Sequence, residues 1–134
     1  YEDSLPYEWK RLLAFLEGAL KEGRTIGSAH IVVFTHHPLF LQDPDEEDTF
    51  LNIPRRRRRV LIDLFKAYGV RAVFSGHSHR NHHASVGELE MVTTGAVGYP
   101  LGDDPSGFRI VKVYGDRLEH EYFGFDAMPH EVRV

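Results

Sequence analysis

Apolar residues Trp9, Leu12, Leu13, Leu16 and Leu20 recur at intervals of three and four, while Lys10, Arg11, Glu17 and Lys21 fall on the other faces. That spacing predicts an amphipathic helix from about Tyr7 to Glu22, ended near Gly23. The run Ala29 to Thr35 is short, β-branched and without alternation, which predicts a strand covered on both faces. A polar stretch, Gln42 to Asp48, reads as a mobile, solvated loop. Pro54 then sits at a first helical position; Val60, Leu61, Leu64, Phe65 and Tyr68 form one apolar face, and Gly69 is the C-terminal cap. Val70 to Ser75 predicts a second buried strand, so helix, strand, helix, strand implies a parallel pair joined by a crossover. Beyond Arg80 the period changes. Segments His82–Val86 and Leu89–Thr94 flank Gly87-Glu88, and Phe108–Tyr114 and Leu118–Phe123 flank Gly115-Asp116, predicting two antiparallel hairpins. From Asp126 to Val134 no period is visible.

Composition narrows the class. With 134 residues, 42% hydrophobic and 27% charged, the chain suits one domain with its own core. A net charge of -4 gives no general attraction to nucleic acid or anionic membrane. No apolar run approaches the roughly 20 residues of a membrane span, and no signal-peptide pattern opens the chain. The absence of cysteine excludes a thiolate metal site, and it fits a reducing compartment such as the cytoplasm. The run Arg55 to Arg59 invites a nucleic-acid reading, but five consecutive helical residues face several directions and Asp45 to Asp48 offset them. No nucleic-acid or membrane partner is expected.

The chemistry lies where two apolar strands end. Thr35-His36-His37-Pro38-Leu39 follows the first strand, and Ser75-Gly76-His77-Ser78-His79-Arg80-Asn81 follows the second. In a parallel α/β sheet, sites form outside the carboxyl ends of the strands, so both clusters fall on one rim. Residues i and i+2 of an extended segment point the same way, which lets His77 and His79 address one site. Gly76 before them allows an unusual φ. Imidazole nitrogen suits divalent Zn, Fe, Ni or Mn. His37, next to His36, is expected to turn away on a strand-like backbone and to support or pack rather than bind metal, and His82 and His83 read as surface strand residues. Asn81 is a candidate contact for a substrate phosphate.

The blocks FSGHSHRN and FTHHPLF, with the helix ending before AHIVVFT, resemble the last motifs of the calcineurin-like metallophosphoesterases. FLNIP and PLGDDPSGFRIVKV are similar to the branch of that family containing calcineurin-like serine/threonine phosphatases. The resemblance implies a two-metal centre in which His36 and His77 bind one ion and His79 the other, the ions being Mn, Fe, Zn or similar. It also implies an α/β fold: the C-terminal half of a four-layer α/β/β/α sandwich, with a mixed sheet, two covering helices and antiparallel hairpins at the C-terminal end. The implied reaction is hydrolysis of a phosphorylated substrate by metal-activated hydroxide attacking phosphorus in line.

Family members also carry, ahead of these blocks, an Asp-x-His motif, a Gly-Asp motif and a Gly-Asn-His motif, and none of these precedes His36 here. No catalytic residue beyond the three metal ligands is therefore expected in this chain. Tyr1 stands where a methionine would open a chain, and a helix pattern follows at once. Residues 1–134 are thus expected to be the C-terminal part of a single domain. The N-terminal half is expected upstream or on an associated chain, and this part alone is expected to be inactive. The rival expectation is a non-catalytic, truncated phosphoesterase lobe kept for binding.

Overall fold

A computed structural model describes residues 6–133. Helix α1 spans Pro6–Thr25, strand β1 Ile31–Phe34, helix α2 Arg55–Tyr68 and strand β2 Val70–Ser75. Strands β3 (His82–Val86), β4 (Leu89–Thr93), β5 (Gly107–Val113) and β6 (Leu118–Gly124) follow, then a single 3-10 turn over Phe125–Ala127. Each of the two helices and the six strands meets a segment predicted from the sequence pattern. Helix α1 runs through Gly18 and Gly23 and stops only at Thr25. Among the described residues no helix is long and apolar enough to cross a membrane.

The main sheet has the order β1-β2-β4-β3, and β5 and β6 form a separate two-stranded sheet. β1 and β2 are parallel, as the crossover through α2 requires. The first hairpin inserts so that β4 lies parallel to β2 while β3 pairs antiparallel at the edge, which makes the sheet mixed. One face packs on the helices: Leu20, Leu61, Ile62 and Phe65 meet Val73, Leu89 and Met91, with Leu39 and Phe40 beneath the same core. The opposite face buries Ala72, Phe74 and Val92 against Leu118 of the β5–β6 hairpin. The result is a helix layer, a mixed sheet and a second sheet, a mixed α/β architecture matching the calcineurin-like sandwich.

Strand β1 departs from expectation. Its burial alternates, with Ile31 and Val33 half-buried toward the helices and Val32 and Phe34 outward. Phe34 is 75% exposed. The hairpin covers β2 and β4 and stops short of β1, so the outer face of this edge strand stays open.

Helix α2 buries Arg58, Leu61, Ile62 and Phe65, a repeat of three, four and seven, whereas Val60 faces solvent. Gly69 closes it in the left-handed region (φ 69°), donating its N–H back to the helix. At Gly107 a Cβ would collide with the backbone carbonyl of Phe123 on the paired strand. Gly107→Ala is therefore expected to lower stability by about 2–4 kcal/mol; a urea midpoint within about 0.5 kcal/mol of wild type would contradict this close approach.

Candidate metal centre

The ends of β1, β2 and β4 are tied by hydrogen bonds that continue the sheet. Thr35 N–H donates to Phe74 O (3.0 Å), Gly76 N–H to His36 O (3.1 Å) and Thr94 N–H to Ser75 O (2.8 Å). Behind His36 and His37, buried Pro38, Leu39 and Phe40 anchor the chain in the core. The Gly76–Arg80 turn is held by Ser78, whose N–H donates to Gly76 O (2.8 Å) and whose buried hydroxyl donates to Arg80 O (3.2 Å).

Gly76 is not where the backbone takes positive φ: His77 (φ 66°) and His79 (φ 56°) are. A left-handed conformation on a non-glycine residue costs roughly 1–3 kcal/mol and persists where the surroundings enforce it. This turn is not extended, so the i, i+2 expectation gives way: the two rings meet different partners.

His77 Nε2 lies 2.9 Å from Phe50 O and its Nδ1 lies 3.1 Å from His36 Nε2. A carbonyl only accepts, so Nε2 carries the hydrogen and the lone pair of His77 is at Nδ1, facing His36. His79 Nδ1 donates to Tyr99 O (2.7 Å), which leaves its lone pair at Nε2. Two nitrogens bound to one cation at about 2.1 Å stand roughly 3.0–3.4 Å apart at adjacent positions, so the His36–His77 separation suits a shared ion.

His37 joins them. Its ring centroid is 3.9 Å from that of His77 and 4.9 Å from that of His36. Potential ligand atoms of His36, His37 and His77 all lie within 4.8 Å of one another. The expectation that His37 turns away fails because β1 ends at Phe34 and the chain bends before His37. Burial first, then the neighbouring His77 and His36, hold the His37 imidazole below its ordinary pKa, which favours the neutral ring a metal needs. His79 stands outside this trio. Asn81 has its side-chain oxygen engaged, accepting from Gly95 N–H (3.0 Å) and from Arg109 (2.8 Å).

The acidic loop is pinned rather than free. The buried Arg58 guanidinium donates to Ile53 O (3.0 Å), Pro44 O (3.0 Å) and Glu46 O (2.8 Å). Arg55 and Arg59 reach Glu47 and Asp45 and Arg57 lies over the Trp9 ring, so the arginine run is divided among different partners. Burial opposes ionisation of Glu46, yet the N–H groups of Gln42, Leu41 and Asp43 and the Asn52 amide outweigh it and hold the carboxyl below its ordinary range. A depressed folded-state pKa adds stability above the unfolded value near 4.5, lost as pH falls through the folded value. Amide exchange at Leu41, Gln42 and Asp43 is expected to quicken, relative to α2, as pH falls below the unfolded value near 4.5 and through the lower folded one. Protection unchanged down to about pH 3 would count against the Glu46 cap.

A second donor group joins both sheets: His83 on β3, Glu90 on β4 and His120 on β6, with ligand atoms within 4.8 Å of one another. Both groups have donor chemistry for a metal ion. In the second, Arg109 donates to His120 Nδ1 (3.0 Å), which puts the hydrogen on Nε2, 3.4 Å from Glu90. As it stands, this group is a hydrogen-bonded clasp between sheet and hairpin. Only the pairing of β3 with β4 and the packing of the β5–β6 hairpin on that sheet bring it together.

No protein-family model matches the chain. A zebrafish protein named serine/threonine-protein phosphatase CPPED1 is 46% identical over 114 residues, 85% of this chain. The chain is homologous to these calcineurin-like phosphoesterases over most of its length. The rat protein of the same name is 42% identical over 99 residues, 74% of the chain, and the human one 39% identical over 115 residues, 85% of it. The chain spans only about a third of these CPPED1 relatives: 37% of the zebrafish and human proteins and 32% of the rat protein.

Proposed function

We propose that this chain is part of a metal-dependent hydrolase of phosphoesters, acting on phosphorylated serine or threonine in proteins. The observation that carries this reading is the 3.1 Å approach of His77 Nδ1 to His36 Nε2, with the His77 lone pair fixed by the Phe50 carbonyl. His36 and His77 hold one divalent ion, His79 the second through Nε2, and His37 borders the first. Bound divalent metal supplies positive charge to phosphate oxygens and makes water more acidic. The contribution of these residues is orientation: His77 and His79 are each held in one tautomer by a backbone carbonyl before any ion arrives.

The described trio is all imidazole. Two cations roughly 3.5–4 Å apart repel strongly without a bridging carboxylate, so acidic ligands and the leaving-group acid are assigned to the remainder of a longer domain. The greater length of the relatives supports that assignment. So does the open apolar face, where Val32 and Phe34 on β1 and Val111 and Val113 on β5 are exposed. These 134 residues expressed alone are expected to self-associate, as light scattering would reveal; a monodisperse monomer would count against a covered face.

The test of function is elemental analysis of the full-length protein beside phosphoserine and phosphothreonine peptides, phosphodiesters and small phosphomonoesters. Two equivalents of divalent metal and turnover of the phosphopeptides are expected. Absent turnover on every substrate would leave only a non-catalytic lobe, and turnover unaffected by metal removal would overturn the metal-dependent reading.

A further inference from the structure

The two carbonyls that fix His77 and His79 belong to residues with large, solvent-facing aromatic rings. Phe50 is 80% exposed and Tyr99 is 69% exposed. The Phe50 ring stands 6.4 Å from His77 at 78°, and the Tyr99 ring 6.4 Å from His79 at 80°. The rings therefore flank the histidine turn on two separate loops, one before α2 and one after β4. Leu101, also exposed, extends the apolar surface on the Tyr99 side.

Both loops are held firmly. Arg58 grips the first through Pro44, Glu46 and Ile53. The second is bound to the turn itself: Leu101 N–H donates to His79 O (3.0 Å), and Arg80 Nε donates to Leu101 O. Exposing a phenyl ring forgoes roughly 2 kcal/mol of burial. A rigid, exposed ring recovers that on contact and loses little conformational entropy in doing so, which is why aromatic anchors dominate recognition surfaces. A small phosphomonoester reaching His36 and His77 has nothing to place on such rings. An extended polypeptide crossing the turn has side chains on either side of its phosphorylated residue.

Resting on the phosphoester-hydrolase reading, we infer that Phe50 and Tyr99 form a two-sided aromatic rim that selects polypeptide substrates with apolar residues flanking the phosphorylated serine or threonine. The backbone carbonyls survive substitution, so Phe50→Ser and Tyr99→Ser remove the rings and keep the acceptors of His77 and His79.

The experiment uses the full-length protein and two phosphoserine peptides, one flanked by leucines and one by glycines. The readout is the ratio of their kcat/KM values, in which any change of metal loading or histidine orientation cancels. Fluorescence anisotropy of the same labelled peptides gives a parallel ratio of Kd values. Wild type is expected to favour the leucine-flanked peptide about tenfold, and each variant to reduce the ratio to about two- to threefold. A ratio near one in wild type, or an undiminished ratio in both variants, overturns the rim. Wild type that hydrolyses neither peptide overturns the hydrolase reading and the rim with it.

Discussion

Arg58→Met is expected to lower the free energy of unfolding by about 3–5 kcal/mol. The Arg58 side chain is fully buried (0% exposed), and its guanidinium satisfies three backbone carbonyls while Asp48 lies 3.6 Å from it. Methionine fills much of the stem volume but returns none of those donors, so three carbonyls lose partners in a place water reaches poorly. Lysine offers three donors from one point and cannot span acceptors arranged around a planar fork. Arg58→Lys should therefore fall between wild type and Arg58→Met. The damage is expected to spread to the site. With loop 41–53 released, Phe50 O no longer fixes His77, and divalent-metal affinity should fall about ten- to a hundredfold. Urea denaturation and metal titration read the two effects. A stability loss below about 1 kcal/mol for Arg58→Met would show that the loop holds without its staple.

Arg58 also shows how far the sequence could be read. The second helix and β2 were legible to the residue at several ends because Gly69 and the apolar periods are local signals. Arg58 carried a local signal as well: it precedes Leu61, Ile62 and Phe65 by three, four and seven, the buried repeat of α2. Its charge, in a run of five arginines, hides that repeat from any reading that sorts residues by polarity. A cation earns a buried position only when acceptors converge on it, and here they come from a loop five to fourteen residues upstream.

The site divides in the same way. That the histidine motifs lie at strand ends follows from the order of elements, since parallel strands deliver their carboxyl ends to one rim. Ring directions depend on φ at His77 and His79 and on the ring contacts with the Phe50 and Tyr99 carbonyls, none of which a spacing rule encodes. The His37 ring lies beside His77 for a related reason: facing rules for strands lapse once the strand ends. An apolar run without alternation reads identically whether its second face is covered within the chain or from outside it, so the run of β1 alone does not place the opening on its outer face.

In the full-length protein, His36→Ala and His77→Ala are each expected to lower phosphopeptide turnover at least about a hundredfold. Each should remove one equivalent of the same metal ion. Because their facing nitrogens are 3.1 Å apart and share that ion, the double variant should cost little more than either single one. His79→Ala should behave differently: its lone pair is aimed from the Tyr99 side, so it should cost the other equivalent and leave the first. His37→Ala supplies the internal comparison. It leaves the His36–His77 pair in place, so a loss below about tenfold is expected, through altered packing against the His77 ring. Three single variants that each retain two equivalents of metal and wild-type turnover would remove the imidazoles from the centre altogether. Additive losses from His36→Ala and His77→Ala would mean that the two rings serve separate ions.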